Sequence, residues 1–178
     1  MDHHQQPKPP RTLAGYLEAM TRIVFSSGMS WRVVEAKWPG IRDAFADFEP
    51  ERVARMTARD IDRLAKDTRV IRNVPKLEAT VLNAKEVVAI GKAPGGFKGY
   101  LRSLGPGPEA AAALKKRFRY LGDHGTYYFL WSVGENVPAW DAGGTAGATR
   151  RATAAKSKAT KPAAKGTGAS RRKPATPR

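Results

Sequence analysis

A basic stretch in the middle of the chain, residues 67–84, has the residue types of a phosphate-binding site. Its polar and basic members are Thr68, Arg69, Arg72, Asn73 and Lys76. Basic side chains beside the free N–H groups of a helix start are typical of contacts to a nucleic-acid backbone. We therefore predict that this set binds DNA. The residues alone also allow an ordinary corner between two helices with solvated charges, because basic helix starts are common.

Two predicted helices position this stretch. Thr57 and Asp60 have the spacing of a capping box, which predicts the start of a first helix. Pro75 suits the first turn of a second helix, and apolar residues then recur at helical spacing as far as Val88. The pattern predicts a helix, a tight hairpin and a longer helix.

A second group of residues could bind a flat ring or move a proton. Tyr127 and Trp131 lie four residues apart and share one face of a predicted helix, where they either line a pocket or fill the core. Glu18 and Glu35 are carboxylates on other predicted helices, and we expect both at the surface. His124 lies at a predicted helix start, and we expect it to have a structural role.

Apolar periodicity predicts further helices along the chain. Pro39-Gly40 is expected to end the helix that begins at Trp31, and the glycine-rich segment 91–99 is expected to be a loop. The other predicted helices span 13–25, 41–48, 51–56, 109–120 and 124–133. No segment alternates strictly between apolar and polar residues, so the predicted fold class is all-α.

The charge of the chain indicates a polyanionic partner, most commonly nucleic acid. The 178 residues include 32 Lys and Arg against 16 Asp and Glu, a formal net charge of +16. Ten of the basic residues lie in 141–178, which lacks large apolar residues and is predicted to be a disordered basic tail. A tail that serves only solubility is the alternative. We expect a flexible Pro-rich arm over 1–11 and a helical domain over 12–140.

The composition also excludes several classes of site. The absence of cysteine removes disulfides, thiolate metal ligands and a Cys nucleophile. No apolar run reaches membrane-spanning length, and the N-terminus lacks the apolar core of a signal peptide. We expect a cytoplasmic, nucleoid-associated monomer that uses no cofactor.

Several sequence blocks between 13 and 134, taken in order, resemble the DNA-3-methyladenine glycosylase I family of helix-hairpin-helix DNA glycosylases. The blocks are Gly28-Met29-Ser30-Trp31, 45–54, 70–73, 76–79, 83–84, 113–122 and 127–134. The resemblance implies an all-α, helix-hairpin-helix glycosylase-like bundle that acts in base excision repair. It implies that an alkylated purine such as 3-methyladenine is flipped out of double-stranded DNA and that its N-glycosidic bond is hydrolysed. It also makes Trp31 a pocket aromatic, for which a core Trp is the alternative.

The sequence departs from this family at the residues of the reaction. The zinc ligands of the family have no counterparts, so no metal is expected. The pocket Glu of the family falls on Ile23, eight residues before Trp31, and Ile cannot accept a hydrogen bond. The catalytic residue is therefore unassigned. Two functions stay open, a zinc-free glycosylase and a non-catalytic DNA-binding protein that retains the fold and adds a basic tail.

Overall fold

In a computed structural model of the protein, the described residues are 7–105, 108–135 and 137, and the predicted tail 141–178 lies outside them. Every regular element in this part is helical, so the predicted all-α class is confirmed. None of these helices is both long and apolar enough to cross a membrane. The elements are α1 (Leu13–Ser26), α2 (Trp31–Ala44), a 3₁₀ turn (Ala46–Phe48), α3 (Pro50–Ala54), α4 (Ala58–Leu64), α5 (Val74–Gly91), α6 (Gly96–Ser103), α7 (Pro108–Arg117) and α8 (Asp123–Ser132).

The long helix α5 lies at the centre of the bundle and packs against α1, α3, α4 and α6. Its first turn contains Pro75, and the Asn73 side chain accepts a hydrogen bond from the Lys76 N–H at 3.3 Å. With α4 before it, the predicted order of helix, hairpin and helix is present. One side of α5 is buried in the core, and its apolar residues are Leu77, Val81, Ala84, Val87 and Ile90.

The start of α4 is fixed by the capping box that the sequence predicted. The Asp60 N–H donates to Thr57 Oγ1 at 3.4 Å, and the Thr57 N–H donates to Asp60 Oδ2 at 2.8 Å. Each residue thus satisfies a backbone donor that the first turn of a helix leaves without a partner. The hydrogen bonds from Thr57 lower the pKa of the Asp60 carboxyl below its ordinary value.

The prediction that Pro39-Gly40 ends the second helix is wrong. Helix α2 continues to Ala44, because Pro39 removes only one backbone hydrogen bond while the helix buries Trp38 against the core. Gly40 has a different role, since a Cβ there would lie 2.5 Å from the carbonyl oxygen of Arg69. The missing side chain lets the backbone of the hairpin approach α2 closely.

Two other element boundaries also differ from the predictions. The predicted helix 41–48 is divided between the end of α2 and the turn Ala46–Phe48, whose residues have φ of 51°, 54° and 59°. These left-handed angles are uncommon for residues with a Cβ. The loop predicted over 91–99 is shorter than expected, since α6 begins within it and buries Phe97 against Tyr16, with the ring centres 4.8 Å apart.

The described part of the N-terminal arm lies against the domain. A Cβ on Gly134 would be 3.0 Å from Pro9 Cδ and 3.2 Å from the Pro7 carbonyl oxygen. Gly134 has a φ of 74° and directly follows the end of α8, so both its backbone angle and its close contacts favour glycine. Pro7 and Pro9 thus lie beside the end of α8.

Candidate nucleic-acid interface and base site

The hairpin between α4 and α5 is anchored on its inner side and exposed on its outer side. Val70 and Ile71 are buried, whereas the side chains of Thr68 and Arg72 are exposed. Lys37 Nζ, from α2, donates a hydrogen bond to the Thr68 carbonyl oxygen at 2.6 Å. The hairpin is thus a fixed surface loop, and its outer side chains together with the start of α5 can contact a phosphate.

The two predicted arginine ligands of the hairpin differ in how their charge is compensated. Arg69 pairs with Asp67 and with Asp43, at 2.8 Å in each case. Hydrogen bonds to Asp67 and then to Asp43 raise the pKa of the Arg69 guanidinium. Arg72 is exposed and forms no ion pair or side-chain hydrogen bond within the described part of the chain. Its full charge makes Arg72 the stronger candidate for a phosphate contact.

Lys76 is directed inward, and the prediction that it binds DNA is corrected. The residue is only 4% exposed, and its Nζ donates hydrogen bonds to the carbonyl oxygens of Phe25, at 3.0 Å, and of Ser27. Burial lowers the pKa of the Lys76 ammonium. Lys76 therefore holds the end of α1 and the loop that leads to Trp31. Asn73 is half-buried, and its side-chain oxygen is engaged in capping α5.

Trp31 lies at the surface, in contact with a basic residue of α1. Its side chain is 46% exposed at the first position of α2. The guanidinium carbon of Arg22 is 5.7 Å from the centre of the Trp31 ring and 4.1 Å from that of the Trp38 ring, and Arg22 also pairs with Glu35. The three α2 residues are spaced i, i+4 and i+7, so they form one stripe along the helix. The structure therefore does not seal Trp31 in the core.

Glu18 and Glu35, the two carboxylates that the sequence singled out, are both engaged in other contacts. Glu18 Oε1 accepts a hydrogen bond from Trp38 Nε1 at 3.1 Å and lies 3.5 Å from Arg42 Nη1. Glu35 pairs with Arg22. Both side chains are partly accessible to solvent, in line with the surface positions expected from the sequence. Each helps to fix α2 against α1, and neither is a free general base.

Ile23, to which the sequence resemblance assigns the position of the family carboxylate, packs against the first turn of α8. Its Cγ2 atom is 3.0 Å from the point that a Cβ on Gly125 would occupy. Tyr127 and Trp131, further along α8, are half-buried, and the Tyr127 ring meets the Tyr128 ring edge-on with the centres 5.6 Å apart. Consecutive residues of α1 therefore contact different helices, Arg22 the stripe on α2 and Ile23 the first turn of α8.

Clefts of about 490 Å³ and 300 Å³ lie elsewhere on the domain, and neither is lined by Trp31, Tyr127 or Trp131. The residues predicted to bind the base therefore lie on the surfaces of α2 and α8 and not in these clefts. Within the described part of the chain, no group of three or more His, Asp or Glu side chains could hold a metal ion.

Sequence reasoning missed two residues that shape this region. Arg22 was not selected, although the spacing of Trp31, Glu35 and Trp38 could have indicated a partner for that stripe. Asn83, buried on α5, binds both backbone polar groups of Arg119. Its Nδ2 donates to the Arg119 carbonyl oxygen at 3.1 Å, and its Oδ1 accepts from the Arg119 N–H at 2.7 Å. This contact fixes the loop before α8, and its signal in the sequence is limited to the block that contains Asn83.

Sequence and structure comparisons relate this chain to known proteins. Residues 12–126 match the sequence model of a family described as methyladenine glycosylase. A DNA-3-methyladenine glycosylase of Haemophilus influenzae is 33% identical over 129 residues, which cover 61% of this chain and 70% of that relative. Among solved structures, 3-methyladenine DNA glycosylase I of Staphylococcus aureus is 29% identical with a TM-score of 0.64, over 74% of this chain and 81% of that one.

A single-residue variant of 3-methyladenine DNA glycosylase I in complex with 3-methyladenine is also similar to this chain. It is 27% identical with a TM-score of 0.65, over 78% of this chain and 87% of that one. The family match covers α1 to the first turn of α8, which includes the hairpin, Trp31 and Ile23. The chain thus belongs to the methyladenine glycosylase family, as the resemblance of its sequence blocks predicted.

Proposed function

We propose that the protein is a base-excision-repair DNA glycosylase. It hydrolyses the N-glycosidic bond of an alkylated purine of the 3-methyladenine type, after that purine is flipped out of double-stranded DNA. The observation that carries this proposal is the exposed Trp31 ring, in the segment by which the chain resembles its family. An indole face offers a flipped purine a large stacking surface.

The charge of the substrate explains how the reaction proceeds beside Ile23. An alkylated purine such as 3-methyladenine is cationic in DNA, so it is already a good leaving group. Positioning the base then supplies much of the barrier reduction that an adjacent carboxylate would otherwise provide. The residues of this chain bind and orient the base through Trp31, with Tyr127 and Trp131 as further aromatics of the proposed pocket.

In this proposal, the hairpin provides the contacts to the DNA backbone. Thr68 and Arg72 on its outer side, with Arg69 beside them, contact phosphates of one strand. The basic residues of 141–178 add affinity that depends on salt and not on DNA sequence. The protein acts as a monomer of the cytoplasm and nucleoid.

A base-release assay tests the proposed function. The unmodified protein should release free 3-methyladenine from alkylated duplex DNA. Trp31→Ala should slow release on the order of tenfold to a hundredfold, from the loss of base stacking, and should weaken duplex binding much less. Val33→Ala is the matched control, because Val33 is a similarly exposed apolar residue of α2, and it should leave release unchanged. Equal loss of release and binding in Trp31→Ala would argue against a pocket role.

A non-catalytic DNA-binding protein is the second candidate function. Ile23 favours it, because this apolar side chain packs against α8 at the position where the family has a carboxylate. In that case the unmodified protein would bind alkylated and unmodified duplexes equally and would release no base from either. The exposure of Trp31 supports the glycosylase instead, since a protein that binds only the backbone has no use for a surface indole there.

A further inference from the structure

A cation lies against the surface on which the proposed function places the base. The Arg22 guanidinium contacts the Trp31 ring at 5.7 Å and the Trp38 ring at 4.1 Å. Such a contact uses the negative potential of the indole face. Glu35 pairs with the same guanidinium and offsets part of its charge. On the α8 side, Ile23 supplies no negative charge that would attract a cationic base.

The charge of Arg22 opposes a cationic base on either face of Trp31. On the face that Arg22 occupies, the base must displace the guanidinium. On the opposite face, the base stacks on an indole whose negative potential the guanidinium already reduces. An uncharged purine experiences no charge–charge repulsion in either position. Arg22 therefore weakens the binding of a cationic base relative to an uncharged one.

Cleavage of the glycosidic bond removes this repulsion. Before cleavage, the positive charge of the alkylated nucleotide resides on the base. When the C1′–N9 bond breaks, its electron pair passes to the base, which leaves uncharged, and the positive charge moves to the sugar. The oxygen of water then bonds to C1′, and one proton is released to solvent. The repulsion from Arg22 is thus larger before bond cleavage than after it.

Resting on the proposed function, we propose that Arg22 is a positioning residue that acts through Trp31 to promote departure of the base. It raises the free energy of the bound cationic base more than that of the transition state, whose charge has partly moved to the sugar. It thereby supplies some of the rate enhancement that a carboxylate at position 23 would otherwise provide. Glu35 limits the effect, because its carboxylate partly neutralises the guanidinium.

Single-turnover base release from alkylated duplex DNA, measured over a range of protein concentrations, tests this proposal. Arg22→Gln should lower both the half-saturating protein concentration and the maximal rate by about three- to tenfold, so that their ratio changes little. Glu35→Gln should raise both, because it leaves the guanidinium without its counter-charge. Arg22→Lys keeps the charge and should retain most of the maximal rate.

The control variant is Arg32→Gln, which removes one positive charge at an exposed position directly after Trp31. It should leave the maximal rate unchanged. Structural damage would raise the half-saturating concentration and lower the rate together. If Arg22→Gln gives that pattern, or changes neither quantity, the proposal is overturned.

A binding measurement separates this proposal from the proposed function. If the unmodified protein releases no base, the glycosylase function fails, and quenching of tryptophan fluorescence by adenine and by the fixed cation 3,9-dimethyladeninium tests Arg22 directly. Arg22→Gln should shift the ratio of the two dissociation constants toward the cation by about threefold or more. An unchanged ratio, or the absence of binding of either purine, overturns the proposal.

Discussion

Replacing Lys76 by Met should destabilise the domain substantially, although Met matches the length and apolar character of the lysine stem. The Lys76 ammonium donates to the carbonyl oxygens of Phe25 and Ser27, at the end of α1. Carbonyl groups in the last turn of a helix have no partner within the helix, so the substitution leaves both without this donor. Hydrogen bonds from a charged donor contribute about 1.5–3 kcal/mol each, and relief of the buried charge offsets part of that loss.

We expect a net loss of about 2–4 kcal/mol in the free energy of unfolding for Lys76→Met. Urea denaturation followed by far-ultraviolet circular dichroism at pH 7 measures it. Lys85→Met is the matched control, because Lys85 is exposed on the same helix, and it should change stability by less than about 0.5 kcal/mol. A loss below about 0.5 kcal/mol for Lys76→Met would show that the two carbonyl contacts do not stabilise the fold.

The difference in free energy of unfolding between the unmodified protein and Lys76→Met should also depend on pH, which is a second test of the buried ammonium. Burial lowers its pKa in the folded protein from the ordinary 10.5. Between the lowered value and 10.5, the unfolded chain binds the proton that the folded protein has released, so stability rises with pH. The free energy of unfolding of the unmodified protein minus that of Lys76→Met should therefore increase in this window, by at most about 1.4 kcal/mol per pH unit. A decrease would contradict the lowered pKa.

Further predictions concern the hairpin. Arg72→Ala should weaken binding to duplexes of any sequence and reduce the slope of log affinity against log salt concentration by about 0.9, measured by fluorescence anisotropy, whereas Lys92→Ala at the other end of α5 should not. An unchanged slope would count against a phosphate contact. Gly40→Ala should cost about 1–3 kcal/mol of stability, because its Cβ would lie 2.5 Å from the Arg69 carbonyl oxygen. Gly122→Ala, with no atom within 4 Å of its Cβ, is the control, and equal stability of both variants would refute the close approach.

The features that the sequence predicted correctly depend on neighbouring residues. The capping box of Thr57 and Asp60 and the apolar repeat of α5 are signals within one or two turns, and both are present in the structure. Val70 and Ile71 form the buried inner side of a hairpin whose position the break in apolar spacing indicated. Local patterning and the resemblance of several blocks in order were thus enough to predict the fold class and the family.

The features that the sequence did not predict depend on residues far apart in the chain. Gly40 was interpreted as a helix stop, whereas its small size is required by Arg69, which lies 29 positions later. Lys76 was assigned to phosphate because basic residues at helix starts commonly contact anions, yet its acceptors lie on α1. The direction of a long side chain depends on which helix packs beside it, and helical periodicity carries no such information.

The length of helix α5 sets the spacing between α2 and α8, the two helices that carry the surface aromatics. In its first turn Lys76 holds the loop before α2, and two turns later Asn83 holds the loop before α8. Their separation of seven positions corresponds to about 10 Å along the helix axis. One inserted or deleted residue between these two anchors would rotate one of them by about 100° away from its loop, so the alignment of the α2 and α8 aromatics depends on the exact length of this segment.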